Sequence, residues 1–128
     1  MKAKDFNELT TQAKLMQWGK WSSLAGYHEV GYEEVDLSLR ASVPIVITDD
    51  QATYIDRGIA RLRSRGADGG LLARMLISYY VGNRRQSEVA EKFSISRKLI
   101  AAYLKRGEAW MDCYFDQAAY SEKLFKTG

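Results

Sequence analysis

Residues 86–105, QSEVAEKFSISRKLIAAYLK, are the stretch that decides the fold. In its first part Val89 and Phe93 share one helix face, and after a short break Ile100 and Leu104 repeat the same spacing. Two short amphipathic helices that pack across a tight turn are typical of a helix-turn-helix. The stretch therefore predicts this motif in the C-terminal half of the chain.

The break between the two helices contains the residue types that such a turn needs. Ala90 is small where the helices must approach closely, and Ile95 is the apolar residue inside the turn. Ser96 can cap the N-terminus of the second helix. Ser94 is a modest departure from the pattern, because glycine is the commonest residue at that position of the turn.

The residues before this motif predict further helices. Thr48–Gln51 has the order of a capping box, and an apolar stripe at helical spacing follows it. Arg65–Gly70 is expected to be a turn because it is rich in glycine. Leu71–Tyr80 is expected to be a central apolar helix that ends at Gly82-Asn83.

The N-terminal part of the chain is less regular. Apolar spacing predicts a helix over about Asp5–Leu24, whereas residues 26–47 hold the only proline and receive no assignment. We therefore predict an all-α protein, since every clear pattern is helical. Residues 1–47 would form an N-terminal helix and an irregular arm, and residues 48–128 a small helical domain with the helix-turn-helix and a long C-terminal helix.

Composition excludes several classes of protein. A chain of 128 residues fits one small domain. The single cysteine, Cys113, excludes an internal disulfide or a zinc site with several cysteine ligands, and we expect it to be a buried small hydrophobe. We find no catalytic site, no cofactor site and no metal ligands, so we do not expect an enzyme. The sequence has no apolar run of membrane-spanning length and no signal peptide, which favours a soluble intracellular protein without a membrane partner.

The net charge of +3 conceals a strong asymmetry along the chain. Residues 57–106 carry 12 basic and 3 acidic side chains, whereas residues 1–56 carry 5 basic and 9 acidic ones. Residues 57–106 are therefore basic enough to attract a polyanion, because binding to phosphates releases counterions. The basic segment includes the helix-turn-helix, so the charge and the motif indicate the same partner, double-stranded DNA.

The candidate DNA contacts form two groups. The outward residues of the second helix suit a major groove, because Arg and Lys donate to guanine edges and small alanines permit close approach. This group consists of Ser96, Arg97, Lys98, Ala101, Ala102 and Lys105. Side chains and backbone amides at the start of the first helix can hold phosphates. That second group consists of Arg84, Arg85, Gln86 and Ser87. The alternative is two ordinary packed helices with a charged surface.

Aromatic residues provide a candidate protein interface. The apolar stripe of the second helix continues through Trp110 and Tyr114, several turns beyond what DNA recognition needs. Core packing onto the N-terminal helix is the more frequent explanation of such a stripe, and an interface with a second copy or a partner is the functional one. Trp18 and Trp21 allow the same two interpretations, as core aromatics or as contacts to a protein partner.

Several short motifs occur in an order that resembles a known family. They are W-G-x-W at 18–21, T-D-D at 48–50, A-R-L-R at 60–63, Y-Y-V-G at 79–82 and R-G-E-A-W at 106–110. Together with the helix-turn-helix, this order is similar to the phage antitermination protein Q family, in its small form without a zinc finger. The resemblance covers roughly residues 12–113. The helix-turn-helix alone is unspecific, because sigma factors and many repressors share it.

The resemblance implies a function that composition cannot indicate. Members of the family bind a DNA element near the phage late promoter and load onto the host bacterial RNA polymerase at a pause. They then travel with it, so that it ignores pauses and terminators. In similar members the protein acts at the RNA exit channel and blocks the terminator hairpin. The resemblance thus implies action in the bacterial host cytoplasm at the nucleoid, with the helix from Ser96 on the DNA element. We expect the acidic and aromatic N-terminal half to contact polymerase.

Two other functions stay open on the sequence. The first is a promoter regulator, either a repressor or a late activator that contacts polymerase only at initiation; a repressor of this kind is usually a symmetric dimer on a palindrome. The second is a protein-interaction module with no DNA role. That module predicts indifference to substitution of Arg97 and Lys98, whereas the DNA hypothesis predicts weaker binding.

Overall fold

The structure is a computed structural model that describes residues 6–24 and 44–126, with side chains over 6–24 and 44–117. Within these ranges the chain is helical and contains no strand, which confirms the predicted all-α class. A 3₁₀ turn at Phe6–Glu8 comes first. The helices are α1 Thr11–Leu24, α2 Asp49–Arg63, α3 Gly66–Leu76 with a π-helical continuation at Ile77–Val81, α4 Gln86–Lys92 and α5 Arg97–Lys126.

The start of α2 is the capping box that the sequence predicts. The Thr48 hydroxyl accepts a hydrogen bond from the Gln51 amide at 3.1 Å, and the Gln51 side chain accepts one from the Thr48 amide at 2.9 Å. Asp49 and Asp50 lie in the first turn, where the helix dipole favours negative charge. These contacts fix the point at which the chain enters the helical core.

The predicted turn at Arg65–Gly70 is wrong, because α3 begins at Gly66. Only Ser64 and Arg65 separate the last residue of α2 from α3. Gly66 has a φ of +78°, which reverses the chain between the two helices. A Cβ at Gly69 would overlap the main-chain carbonyl oxygen of Leu62. Glycine therefore serves close packing of α3 on α2 here, and the pattern was misinterpreted as a loop.

The first helix begins later than its apolar spacing suggests. Thr10 precedes α1, and its hydroxyl accepts a hydrogen bond from the Ala13 amide at 3.1 Å. Phe6 lies in the separate 3₁₀ turn before it. Asp5 and most of the unassigned 26–47 segment lie outside the described residues, and its described end leads into α2 through the buried Ile47.

One hydrophobic core holds all five helices together. Leu15, Ile55, Met75, Val89 and Leu104 represent α1 to α5 in it, and each is at most 2% exposed. The apolar stripe of α5 contributes its buried side chains to this same core.

Glycines set the close packing of the stripe on two other helices. A Cβ at Gly107 would lie 3.0 Å from Leu76, and a Cβ at Gly58 would lie 2.6 Å from the Tyr114 ring. The stripe is thus packed on α3 and α2 within the chain, and its buried residues are not available to a second copy. Within the described residues, no helix is long and apolar enough to cross a membrane.

Candidate nucleic-acid interface

The turn between α4 and α5 has a defined backbone geometry. The Ile95 amide donates to the Ala90 carbonyl oxygen at 2.8 Å, which closes the turn. Ser94 has a φ of +55°, in the left-handed region where glycine is favoured. The Ser96 hydroxyl accepts a hydrogen bond from the Lys98 amide at 3.2 Å, so the predicted cap is present. The turn therefore fixes the direction in which α5 leaves α4.

Packing of α4 against α5 decides which side chains reach the surface. Val89 and Ala90 are fully buried, as are Ile100 and Leu104 to within 2%. Their burial leaves one side of the first two turns of α5 at the surface. The exposed side chains include Ser96, Arg97, Lys98, Ala102 and Lys105, while Ala101 is partly exposed. The residues predicted for a major groove thus share one surface of the fold.

Another cation adds to this surface, although the sequence analysis left it out. Arg106 is exposed on α5, with its guanidinium carbon 5.7 Å from the Tyr103 ring. No acidic residue occurs between Arg97 and Gly107. The position of Arg106 directly after Lys105, on the same helix, could have indicated it from the sequence.

The start of α4 differs from the prediction in one respect. The Arg85 amide donates to the Glu88 carboxylate at 2.9 Å, so a negative side chain already occupies the end of this helix. We had expected backbone amides there to hold phosphates, and the carboxylate of Glu88 makes that a poor anion site. Arg85 and Gln86 are exposed, and Arg84 and Ser87 are partly exposed. Phosphate contacts from this region must therefore come from side chains.

Two cations, Lys92 and Arg84, lie close together near α4. Burial lowers the pKa of Lys92, and the positive charge of Arg84 lowers it further. A nearby positive charge disfavours the ionised form of a lysine, so this lowered pKa indicates that Arg84 lies close to Lys92.

A groove of about 620 Å³ lies beside this surface, between α1, the π-helical segment and α5. Its wall includes Lys20, Arg85 and Lys105, with one carboxylate, Glu108, among them. The Tyr80 hydroxyl donates to Glu108 at 3.0 Å, and the Gln12 amide group donates to its other oxygen at 3.0 Å. The sequence did not indicate this groove, because α1 and the π-helical segment are far from α5 in the chain.

Hydrogen bonds at Glu108 hold the wall of the groove. Burial raises the pKa of the Tyr80 hydroxyl, and the nearby Glu108 charge raises it further. Tyr80 therefore stays protonated and continues to donate to the carboxylate. The carboxylate is thereby kept against the wall of the groove.

The four aromatic candidates for a protein interface have different positions. Trp18 is fully buried, and its ring nitrogen donates to Asp56 at 3.2 Å. Tyr114 is only 9% exposed. Both are core residues in this fold, so they cannot form an exposed interface. Trp21 and Trp110 remain partly exposed. Interface roles for these two stay predictions.

The structure brings together a second group of cations that the sequence analysis missed. Arg57, Arg61 and Arg65 are all exposed, four residues apart on and just after α2. Arg61 and Arg65 line a cavity of about 220 Å³ with Trp110 and Cys113. The four-residue spacing of the arginines was the signal that could have indicated them. Cys113 itself is exposed, so the expectation of a buried cysteine is wrong.

The whole chain was compared with known proteins. A family model described as phage antitermination protein Q matches residues 10–121, which is most of the chain. No curated protein and no solved structure matches the chain.

Proposed function

The chain belongs to the phage antitermination protein Q family, and on that premise we propose that it loads from a DNA element onto host RNA polymerase. The family assigns a role in phage transcription antitermination. In the proposal, the protein binds an element near the late promoter in the host cytoplasm and then makes polymerase read through pauses and terminators. The observation that carries the DNA step is the shared basic surface on the first turns of α5.

We interpret α4, the turn and α5 as a helix-turn-helix. Three features support this interpretation: the buried contacts of Val89 and Ile100, the left-handed Ser94 in the turn, and the exposed basic side of α5. In such a motif the first turns of the second helix enter the major groove. Arg97, Lys98 and Lys105 would then donate to base edges or phosphates, and the alanines beside them would permit close approach.

Side chains near the start of α4 would position the protein on the DNA backbone. Arg84 and Arg85 lie on the rim of the groove beside α5, next to Lys105. Phosphate contacts fix the register of a protein on duplex DNA without reading its sequence. Base contacts from α5 and backbone contacts from these arginines would therefore have separate effects on specificity and on salt dependence.

The polymerase contact is assigned to the N-terminal part of the chain. Two large residues of α1 keep exposed area there: Met16 is 60% exposed, and Trp21 is partly exposed while donating to Asp49 at 2.8 Å. Met and Trp are both enriched in protein–protein interfaces. Met16 lines the groove that Arg84, Arg85 and Lys105 also line, so in the proposal the polymerase contact lies next to the DNA contact.

The proposal is tested by single-round transcription with purified bacterial RNA polymerase. The template carries the late promoter of the source phage, the upstream element and a downstream intrinsic terminator. We expect the protein to increase read-through, and we expect a scrambled element or the R97A/K98A variant to remove that increase. Unchanged read-through with altered initiation would instead indicate a promoter regulator. No effect on either step would remove both functions.

A further inference from the structure

We propose that the cluster formed by Arg57, Arg61, Arg65 and Trp110 binds single-stranded nucleic acid. This arginine–tryptophan cluster lies on α2 and the middle of α5, away from Arg97 and Lys98 in the first turn of α5. The inference goes beyond the proposed function and does not depend on it, because it rests on different residues.

The arginines of the cluster present their charge on one side of α2. Residues four apart on a helix are neighbours, so Arg57 and Arg61 share a face, and Arg65 follows just beyond the last turn. Asp56, which precedes Arg57, accepts a hydrogen bond from Trp18, and Asp68 is exposed three residues after Arg65. All three arginines are exposed, so a phosphate backbone can reach their charges.

An aromatic stack lies directly beside these arginines. Tyr54 and Tyr114 are stacked with ring centroids 4.9 Å apart, and Trp110 is nearly parallel to Tyr114, at 6.0 Å and 10°. The guanidinium carbon of Arg61 lies 5.6 Å from the Tyr114 ring. Trp110 ends the stack and keeps exposed area. A base can extend such a stack, because every base has a π-face.

Electrostatics at Tyr114 show that the arginines and the stack form one environment. Burial raises the pKa of the Tyr114 hydroxyl, and the charges of Arg61 and Arg57 oppose that change. The Tyr114 hydroxyl donates to the Tyr54 carbonyl oxygen at 2.9 Å, which holds its ring in the stack. Arg61 and Arg57 therefore lie close to the stacked ring of Tyr114.

The cavity of about 220 Å³ supplies the polar groups that a base edge needs. Arg61 and Arg65 line it on one side and Trp110 on the other, and Ser64 and Gln117 add donors and acceptors. Bases in a duplex are stacked on one another and present only their edges in the grooves. A concave site with an aromatic wall therefore favours unpaired bases, whereas a duplex would use only the charges.

The far end of the duplex surface, at Arg97 and Lys98, lies well away from the cluster, whereas Lys105 and Arg106 come within about one and a half turns of Trp110 on α5. Arg97 and Trp110 are both on α5, and thirteen residues of helix span roughly 20 Å. Substitution of Arg97 and Lys98 should therefore leave binding at the cluster intact. That independence makes the proposal testable with two pairs of variants.

The test is fluorescence anisotropy with labelled ten-nucleotide oligo-U RNA and oligo-dT DNA, with the full-length protein at low salt. We expect R61A/R65A to weaken binding of the strands at least tenfold and to reduce the salt dependence of binding. We expect W110L, which keeps an apolar side chain but removes the ring, to weaken it about fivefold to a hundredfold. The R97A/K98A variant and the exposed, off-cluster R74A variant should retain strand binding. Comparison of the RNA and DNA arms shows which strand is preferred.

A second measurement does not depend on any variant. Cys113 lines the same cavity and is exposed, so bound oligonucleotide should slow its reaction with a bulky maleimide. Four outcomes overturn the proposal: no strand binding in low salt, binding lost in R97A/K98A but kept in R61A/R65A, equal losses of duplex and single-strand binding in R61A/R65A, or unchanged Cys113 reactivity at saturating oligonucleotide. Slower reaction of Cys113 in the presence of polyglutamate, but not in the presence of either strand, would overturn the proposal and assign the cluster to an acidic protein.

Discussion

Gly19 of α1 lies directly against the main chain of Tyr80, so close that a Cβ at position 19 would overlap the Tyr80 carbonyl oxygen. One turn further along α1, the Ser23 hydroxyl donates to the Val81 carbonyl oxygen at 3.1 Å. The W-G-x-W motif therefore contains a packing glycine, with Trp18 buried before it. This backbone-level contact seats α1 on the π-helical segment and so builds the wall of the groove beside α5.

Replacement of Gly19 by alanine should destabilise the protein, because the neighbour it meets is backbone and cannot rotate away. We expect a loss of about 1–3 kcal/mol in the free energy of unfolding, measured by urea denaturation. The matched control is Gly70→Ala in α3, where a Cβ would meet only the Arg63 carbonyl oxygen at 3.6 Å. That variant should gain roughly 0.5–1 kcal/mol, since alanine is the better helix former. Equal effects at both positions would contradict the packing argument.

Replacement of Ser94 by glycine should stabilise the turn between α4 and α5. Ser94 has a φ of +55°, and an L side chain in that region costs roughly 1–2 kcal/mol. We expect a net gain of about 0.5–1 kcal/mol after the entropy that glycine loses. Ser87→Gly within α4 is the control and should lose stability by a similar amount. A destabilised S94G variant would show that the Ser94 side chain is needed in the turn.

The proposed duplex contacts predict a specific loss in DNA binding. Replacement of Arg97 and Lys98 by alanine should cost about 1–3 kcal/mol for each base contact removed, measured by mobility shift on a fragment with the late promoter. Both side chains are exposed, so the fold should be unaffected. Arg74→Ala, which removes an exposed cation on α3 outside the proposed surface, is the control and should bind nearly as tightly as the parent. Equal affinities of the two variants would place DNA elsewhere.

Lys14 should be a source of pH-dependent instability. It is 7% exposed and lies 5.0 and 4.6 Å from the rings of Phe6 and Phe115. Burial lowers the pKa of Lys14 below its ordinary value of 10.5, an effect that the charges of Asp112 and Asp116 offset only in part. The folded state thus disfavours the charged form. Lys14→Met should therefore stabilise the protein by about 1 kcal/mol at pH 7.

The sign of the pH effect of Lys14 follows from its protons. Between the lowered folded pKa and 10.5 the unfolded chain binds more protons, so the parent protein gains stability from Lys14 as pH rises. K14M lacks that gain. The difference in the free energy of unfolding between K14M and the parent, measured by urea denaturation, should shrink between pH 7 and pH 10.5. A difference that grew with pH would contradict the prediction.

Cys113 should react in the folded protein. Its exposure predicts a rate with a small disulfide reagent within about tenfold of that in denaturant, and C113S should show no signal. Protection of several hundredfold in the native state would mean that another surface covers the cysteine.

Local signals in the sequence predicted the helices that begin with a cap. The Thr48 capping box and the Ser96 cap depend on residues within four positions of each other, and both are present. The helix before Gly82 also ends where expected, since the π-helical segment stops at Val81. Such features need no knowledge of the tertiary structure.

Features that depend on neighbours distant in sequence were not predicted. Gly69 favoured a turn because glycine is common in turns. In the fold, glycine is needed there because a Cβ would overlap the carbonyl oxygen of Leu62. The arginine–tryptophan cluster was not predicted either, because it joins residues of α2 and α5.

The continuous α5 helix has a mechanical consequence. It extends from Arg97 to Lys126, thirty residues or roughly 45 Å, and its first half is anchored in the core through Leu104 and Met111. The distance between two side chains on α5 is set by the rise of the helix. A flexible linker of the same length would let that distance vary. The two nucleic-acid sites proposed on α5 would thus keep a separation that is set by the helix itself.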